Sequence, residues 1–134
     1  MNNDIKESIC ENNICTPIFV GITGHRDIQD EQILIENIKT VLNEISKKYK
    51  ASPIMLLTPL GEGADRAAAK AVISLKETEI CNINYMVILP MDEEEYIGTF
   101  LNQKSIEEFR YLRNGAYGSF TLPINESFKI GDQQ

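Results

Sequence analysis

Three apolar runs, "IFVGIT" from Ile18 to Thr23, "PIMLLT" from Pro53 to Thr58 and "YMVILP" from Tyr85 to Pro90, are spaced so that one helix fits between each pair. Runs this short and this continuously apolar suit strands covered on both faces, as parallel strands are. Parallel neighbours need a long crossover, and both intervening segments have helical periodicity. After Asp30, an N-cap residue, Leu34, Ile38, Val41, Leu42, Ile45 and Tyr49 draw one apolar stripe, with Lys47, Lys48 and Lys50 at the end that favours cations. In "LGEGADRAAAKAVISL" the face Ala64, Ala68, Ala71, Val72 and Leu75 is small enough for a helix to lie close on a sheet. A turn at Asn82–Asn84 then leads into the third strand. Asp92 with Glu95, and Ser105 with Glu108, have capping-box spacing, the second pair opening a helix through Phe109 and Leu112; Ser119–Pro123 forms a last strand. The order predicts an α/β domain with a mostly parallel sheet and right-handed crossovers.

Composition bounds what such a domain does. A chain of 134 residues makes one domain, and roughly two-thirds of its unfolded surface is buried on folding. Residues 1–16, polar and without period, form a flexible N-terminal arm, and 17–134 the single domain. No apolar run approaches the roughly 18 residues of a membrane span, and the start has no signal-peptide pattern, so no membrane partner and a cytoplasmic location are expected. Cys10, Cys15 and Cys81 make no disulfide set and, with the lone His25, no metal-ligand spacing: no metal is expected. A formal net charge of −7 opposes duplex nucleic acid without excluding a nucleotide in a locally positive site.

In parallel sheets ligands gather beyond the carboxyl ends of the strands, near a topological switch point. Two loops lie there. In Thr23-Gly24-His25-Arg26-Asp27, Gly24 permits close backbone approach, Thr23 offers a hydroxyl and Arg26 a planar fork for a phosphate or carboxylate. Equally, Arg26 pairs with Asp27 or Asp30 and His25 is a surface histidine. In Pro59-Leu60-Gly61-Glu62-Gly63-Ala64-Asp65-Arg66, a helix start with two glycines makes an anion cradle; the plainer reading has Asp65 capping the helix and Arg66 solvated. The segment is neither G-x-G-x-x-G nor a P-loop, so nothing points to triphosphate hydrolysis. The acidic run Asp92–Glu95 reads as charge at a helix start, and Tyr85, Tyr96, Tyr111 and Tyr117 as packing residues rather than a base-stacking platform.

"VGITGHR", then "TPLGEGADRAAAKAV", then "YMVILP" resembles the SLOG superfamily, the domains grouped around the DNA-processing protein DprA and the LOG phosphoribohydrolases. The likeness covers about residues 18 to 123. Gly61, Gly63 and Asp65 fall on the glycine and aspartate positions of the DprA-type segment, with Glu62 where DprA proteins carry arginine. The resemblance implies a Rossmann-like three-layer α/β/α domain. It also implies a ligand cleft lined by Thr23, Gly24, His25, Arg26, Gly61, Glu62, Gly63, Ala64, Asp65 and Arg66, with the glycines admitting phosphates and Arg26 or Arg66 neutralising them. The LOG-type Pro-Gly-Gly-x-Gly-Thr segment is absent from this sequence, so the chain reads as a shortened member with an incomplete site.

The leading expectation is a binding module for a nucleotide or NAD-related anion, a sensor reporting to an effector protein or acting as a homodimer, with no other cofactor required. The alternative is a LOG-like hydrolase of nucleoside monophosphates using Glu62 or Asp65. Single-stranded DNA binding is disfavoured by the acidic balance and by Glu62. A degenerate scaffold serving only protein contacts is the remaining reading. Fold-level likeness assigns no reaction.

Overall fold

The structure is a computed structural model and describes residues 16–78 and 82–123. Its order is β1 (Ile18–Gly21), α1 (Glu31–Lys48), β2 (Ile54–Thr58), α2 (Ala64–Thr78), β3 (Ile83–Leu89), α3 (Glu93–Ile97), α4 (Gln103–Asn114) and β4 (Gly118–Thr121). All neighbouring strands pair in parallel, in the spatial order β1-β2-β3-β4. The α/β class and a Rossmann-like parallel sheet interleaved with helices are therefore as the sequence predicts. The expected arm, residues 1–16, lies outside the described residues except for Thr16, and the three cysteines lie outside them altogether.

Each strand of this order has its predecessor as neighbour, so right-handed crossovers set the described helices on one side of the sheet. They form one helical layer against the sheet. Facing them, Ile54, Leu56 and Thr58 of β2 and Ile83, Tyr85, Val87 and Leu89 of β3 are buried. The alternate residues Met55, Leu57, Met86 and Ile88 are half-buried, and Phe19 and Phe120 are exposed. The order also contains no reversal among the described strands, so the expected switch point is not what brings the two loops together; adjacency of β1 and β2 does that.

Helix α1 is capped as predicted: Asp30 accepts a hydrogen bond from the Ile33 N–H at 3.1 Å. Its stripe is rotated from the expected one. Ile35 and Leu42, two turns apart, are buried, whereas Val41 and Tyr49 are exposed. Helix α2 explains the alanines. Lying on the sheet and flanked by α1 and α4, it buries Ala67, Ala68, Ala69 and Ala71 completely, and larger side chains would hold these layers apart. Lys70 fastens the three helices, with Nζ 2.8 Å from Glu31 of α1 and 2.7 Å from Glu108 of α4.

Several boundaries differ from expectation; β4 runs Gly118–Thr121 rather than Ser119–Pro123. β1 stops at Gly21 rather than Thr23, because its partner β2 ends one residue past the Gly21–Leu57 pair, at Thr58, where Pro59 has no N–H to continue the ladder. β3 begins at Ile83, inside the expected Asn82–Asn84 turn: Ile83 extends the buried alternation and pairs with Ile54. Asp92 caps α3 through the Glu94 N–H rather than pairing with Glu95. The cap of α4 is Asn102, which accepts from the Ser105 N–H at 2.9 Å, and this frees the Ser105 and Glu108 side chains for another task.

Candidate functional site

Beyond the carboxyl ends of β1 and β2 the two loops are joined directly. The Ala64 N–H, first in α2, donates to the His25 carbonyl at 3.1 Å. Gly24 lies so close to Ala64 that a Cβ on it would overlap the alanine methyl. Gly63 has φ +89°, a conformation glycine adopts freely, and a Cβ there would strike the carbonyl oxygens of His25 and Arg26. The missing side chains of Gly24 and Gly63 are thus occupied by contact between the loops, not by open space for a phosphate. Thr23, Gly24, His25 and Arg26 remain exposed on the rim, while Gly61, Ala64 and Arg66 are buried and Glu62, Gly63 and Asp65 half-buried.

The second loop holds its shape through a strained residue. Leu60 is fully buried with φ +58°, a region a branched aliphatic side chain rarely enters. Its N–H donates to Thr58 Oγ1 at 3.1 Å and its carbonyl accepts from Arg66 Nε at 3.0 Å. Gly61 N–H donates to Asp65 Oδ2 at 3.1 Å, so Asp65 braces the loop ahead of its own helix instead of capping from the N-cap position.

Arg66 is far from solvated: it is 2% exposed. Nη1 donates to the Ser105 carbonyl at 2.9 Å and Oγ at 2.8 Å and lies 3.3 Å from Glu108 Oε1, while the Phe100 ring lies 4.6 Å from Cζ. Nη2 is sealed without a hydrogen-bond partner; the aromatic face is what the guanidinium meets there. Arg66 therefore locks the second loop to α4 and is not available to a ligand. Arg26 is the accessible cation, 57% exposed, and it pairs with Glu62 at 3.3 Å rather than with Asp27 or Asp30. Glu62, 10% exposed, is anchored on its other oxygen by the Leu101 N–H at 2.9 Å and by the Ser105 hydroxyl.

These environments push the two carboxyls apart. Burial works to raise Glu62, but the hydrogen bonds from Leu101 and Ser105 and the charges of Arg26 and Arg66 prevail and hold it below the usual glutamate value. At Asp65 burial prevails over the Gly61 N–H and both arginines, and its value is raised. Tyr96 of α3 completes the group. Burial, then the Asp65 charge, raises its hydroxyl, which keeps it a neutral donor.

Ser105, Glu108, Leu101 and Tyr96 belong to this site and were not expected there. Ser105 and Glu108 carry a signal, a polar pair one turn apart, but it mimics a cap; nothing in the sequence singles out Leu101 or the Tyr96 hydroxyl. Cavities of about 310 Å³ near Asn43 and Asn82, 440 Å³ near Tyr85 and Tyr111, and 260 Å³ near Val20 and Ile38 lie away from the junction. Among the described residues no group of three or more His, Cys, Asp or Glu is placed to hold a metal, and no helix is long and apolar enough to cross a membrane. The chain matches no protein-family model and no curated protein.

Proposed function

We propose that the junction of the two loops beyond β1 and β2 binds a nucleotide or nucleotide-derived anion, including NAD-related metabolites, and that the domain acts as a sensor or regulatory module. The observation that carries this is the exposed Arg26 guanidinium, held at the carboxyl ends of two adjacent parallel strands beside the Glu62 and Asp65 carboxyls. One edge of the fork faces Glu62, and the rest is open to solvent for a charge-assisted bond to phosphate. A sugar hydroxyl would find an acceptor in the Asp65 carboxyl, and the exposed Thr23 and His25 add polar contacts at the rim. Reporting to an effector, or through a homodimer, would follow from ligand-dependent ordering of the exposed first loop.

Thermal melts with AMP, ADP, NAD and ADP-ribose test the reading. A true ligand at a hundred times its Kd stabilises by about 2.7 kcal/mol, a rise of roughly 10 °C for a domain of this size. Arg26→Ala is expected to weaken binding about tenfold and to halve that rise. No rise with any of the four in the unaltered protein would contradict the proposal.

One observation favours a second reading, LOG-like hydrolysis of a nucleoside monophosphate. The raised Asp65 and lowered Glu62 are the separated pair an acid–base reaction needs. With Glu62 tied to Leu101, Ser105 and Arg26, Asp65 is the carboxyl left to exchange a proton with a substrate. Free base released from AMP in the melt samples, and not with Asp65→Asn, would select it.

A further inference from the structure

Crossovers of one hand give the sheet two unlike faces. Ile54, Leu56, Tyr85, Val87 and Leu89 look into the helices and are buried, and the other face is left without a layer among the described residues. The register fixes what that second face presents. Phe19 pairs with Met55, Leu57 with Met86, and Ile88 with Phe120, so these six side chains stand on it together. Phe19 is 61% and Phe120 55% exposed; Leu122, which prolongs the line of β4 through its N–H bond to the Leu89 carbonyl at 2.9 Å, is 45% exposed. A quarter of the chain is charged, yet no residue of the four strands is. A continuous apolar surface of this kind, left facing water, marks a contact with another molecule.

We propose that this face is the contact between two copies of the chain, packed sheet against sheet. Its size suits a second copy: it is about 19 Å across its four strands and about 18 Å along them, and with side chains standing off it two copies bury roughly 1,000 Å², the area at which specific interfaces begin. Its chemistry does too. An uncharged face gives an unlike partner no sign to recognise, whereas against a copy of itself it meets only apolar groups and desolvates no charge. The segments outside the described residues at the two ends, 1–15 and 124–134, are mostly polar and charged and contain no apolar run of strand length to lay on it. Phe19 and Phe120, on the two outer strands, would close the edges of the shared core. The dimer stands whether or not the loop junction binds a nucleotide, because the face and the junction share no side chain.

In sedimentation velocity the unaltered protein is expected to pass from the mass of one chain to that of two between about 5 and about 200 µM. Phe19→Lys and Phe120→Lys change positions already exposed in the single chain, and each is expected to raise the dissociation constant about tenfold or more. Val41→Lys, exposed on α1 over the opposite face, is expected to leave it unchanged. Methyl-labelled methionine reads the face without any substitution. The Met55 and Met86 methyl signals are expected to move on dilution, and that of Met91, packed against the core beyond β3, to stay. The mass of one chain at about 200 µM would overturn the proposal and mean that something other than a copy covers the face. Fixed Met55 and Met86 signals in a protein that does pair, pairing that survives both phenylalanine substitutions, or an equal loss in Val41→Lys would overturn it by placing the contact elsewhere.

Discussion

Gly63→Ala is expected to lower the melting temperature by about 10 °C and to remove any stabilisation by nucleotide. An alanine at φ +89° costs about 1–2 kcal/mol in backbone energy alone. Its methyl would meet the carbonyl oxygens of His25 and Arg26, which are backbone atoms and cannot swing aside. The loops must then separate, and the bond from the Ala64 N–H to His25 goes with them, a further loss of about 1 kcal/mol. Relief of the overlap brings the sum to about 3 kcal/mol, which at roughly 3–4 °C per kcal/mol gives the stated drop. Circular dichroism melts measure it, and a variant melting with the unaltered protein would mean that the two loops are not joined as described.

A larger loss is expected for Arg66→Ala, about 3–5 kcal/mol by urea denaturation, the range for truncating one member of a buried ion pair. The guanidinium serves Leu60, Ser105 and Glu108 at once and lies over the Phe100 ring. Its removal leaves the Leu60 carbonyl unpaired in the core and nothing to hold Leu60 in its strained conformation. Arg66→Lys is expected to recover little of this, because a point ammonium cannot reach Leu60 on one side and Ser105 on the other as a planar fork does. A midpoint within experimental scatter of the unaltered protein would show that Arg66 is the solvated side chain its sequence neighbourhood suggests.

The sheet and its crossovers were legible because they rest on local pattern. Period-two burial in β2 and β3 and the apolar stripe of α2 are both written in contiguous residues. Even there, the expected stripe of α1 took in Val41 and left out Ile35, although Ile35, Ile38, Leu42 and Ile45 recur at spacings of three and four on the face that packs against the core. The strand-end glycines correctly marked the place where the loops meet, yet their use was hidden. Close approach of backbone to a ligand and close approach of backbone to backbone demand the same residue. Arg66 was misread for a different reason. Its partner Ser105 lies 39 residues away, and no local signal tells a buried arginine on an alanine-rich helix from an exposed one. Ser105 and Glu108 mimic a capping box because one helical turn separates cap partners and also separates two side chains facing the same neighbour. Tyr85 and Tyr96 were correctly placed as packing, whereas Tyr111 and Tyr117, read the same way, are exposed, and a ring in the core says nothing about which charged groups its hydroxyl faces.

The central claim, that the junction of the two loops is where a nucleotide binds, is tested most directly by amide chemical-shift mapping of the 15N-labelled protein titrated with AMP, ADP, NAD and ADP-ribose. The account predicts saturable shifts concentrated at Thr23–Arg26, Gly61–Arg66 and Tyr96, with Lys47, Ala51 and Asn82 at the opposite end of the sheet unmoved. Shifts confined to that opposite end, or none with any of the four, would contradict it.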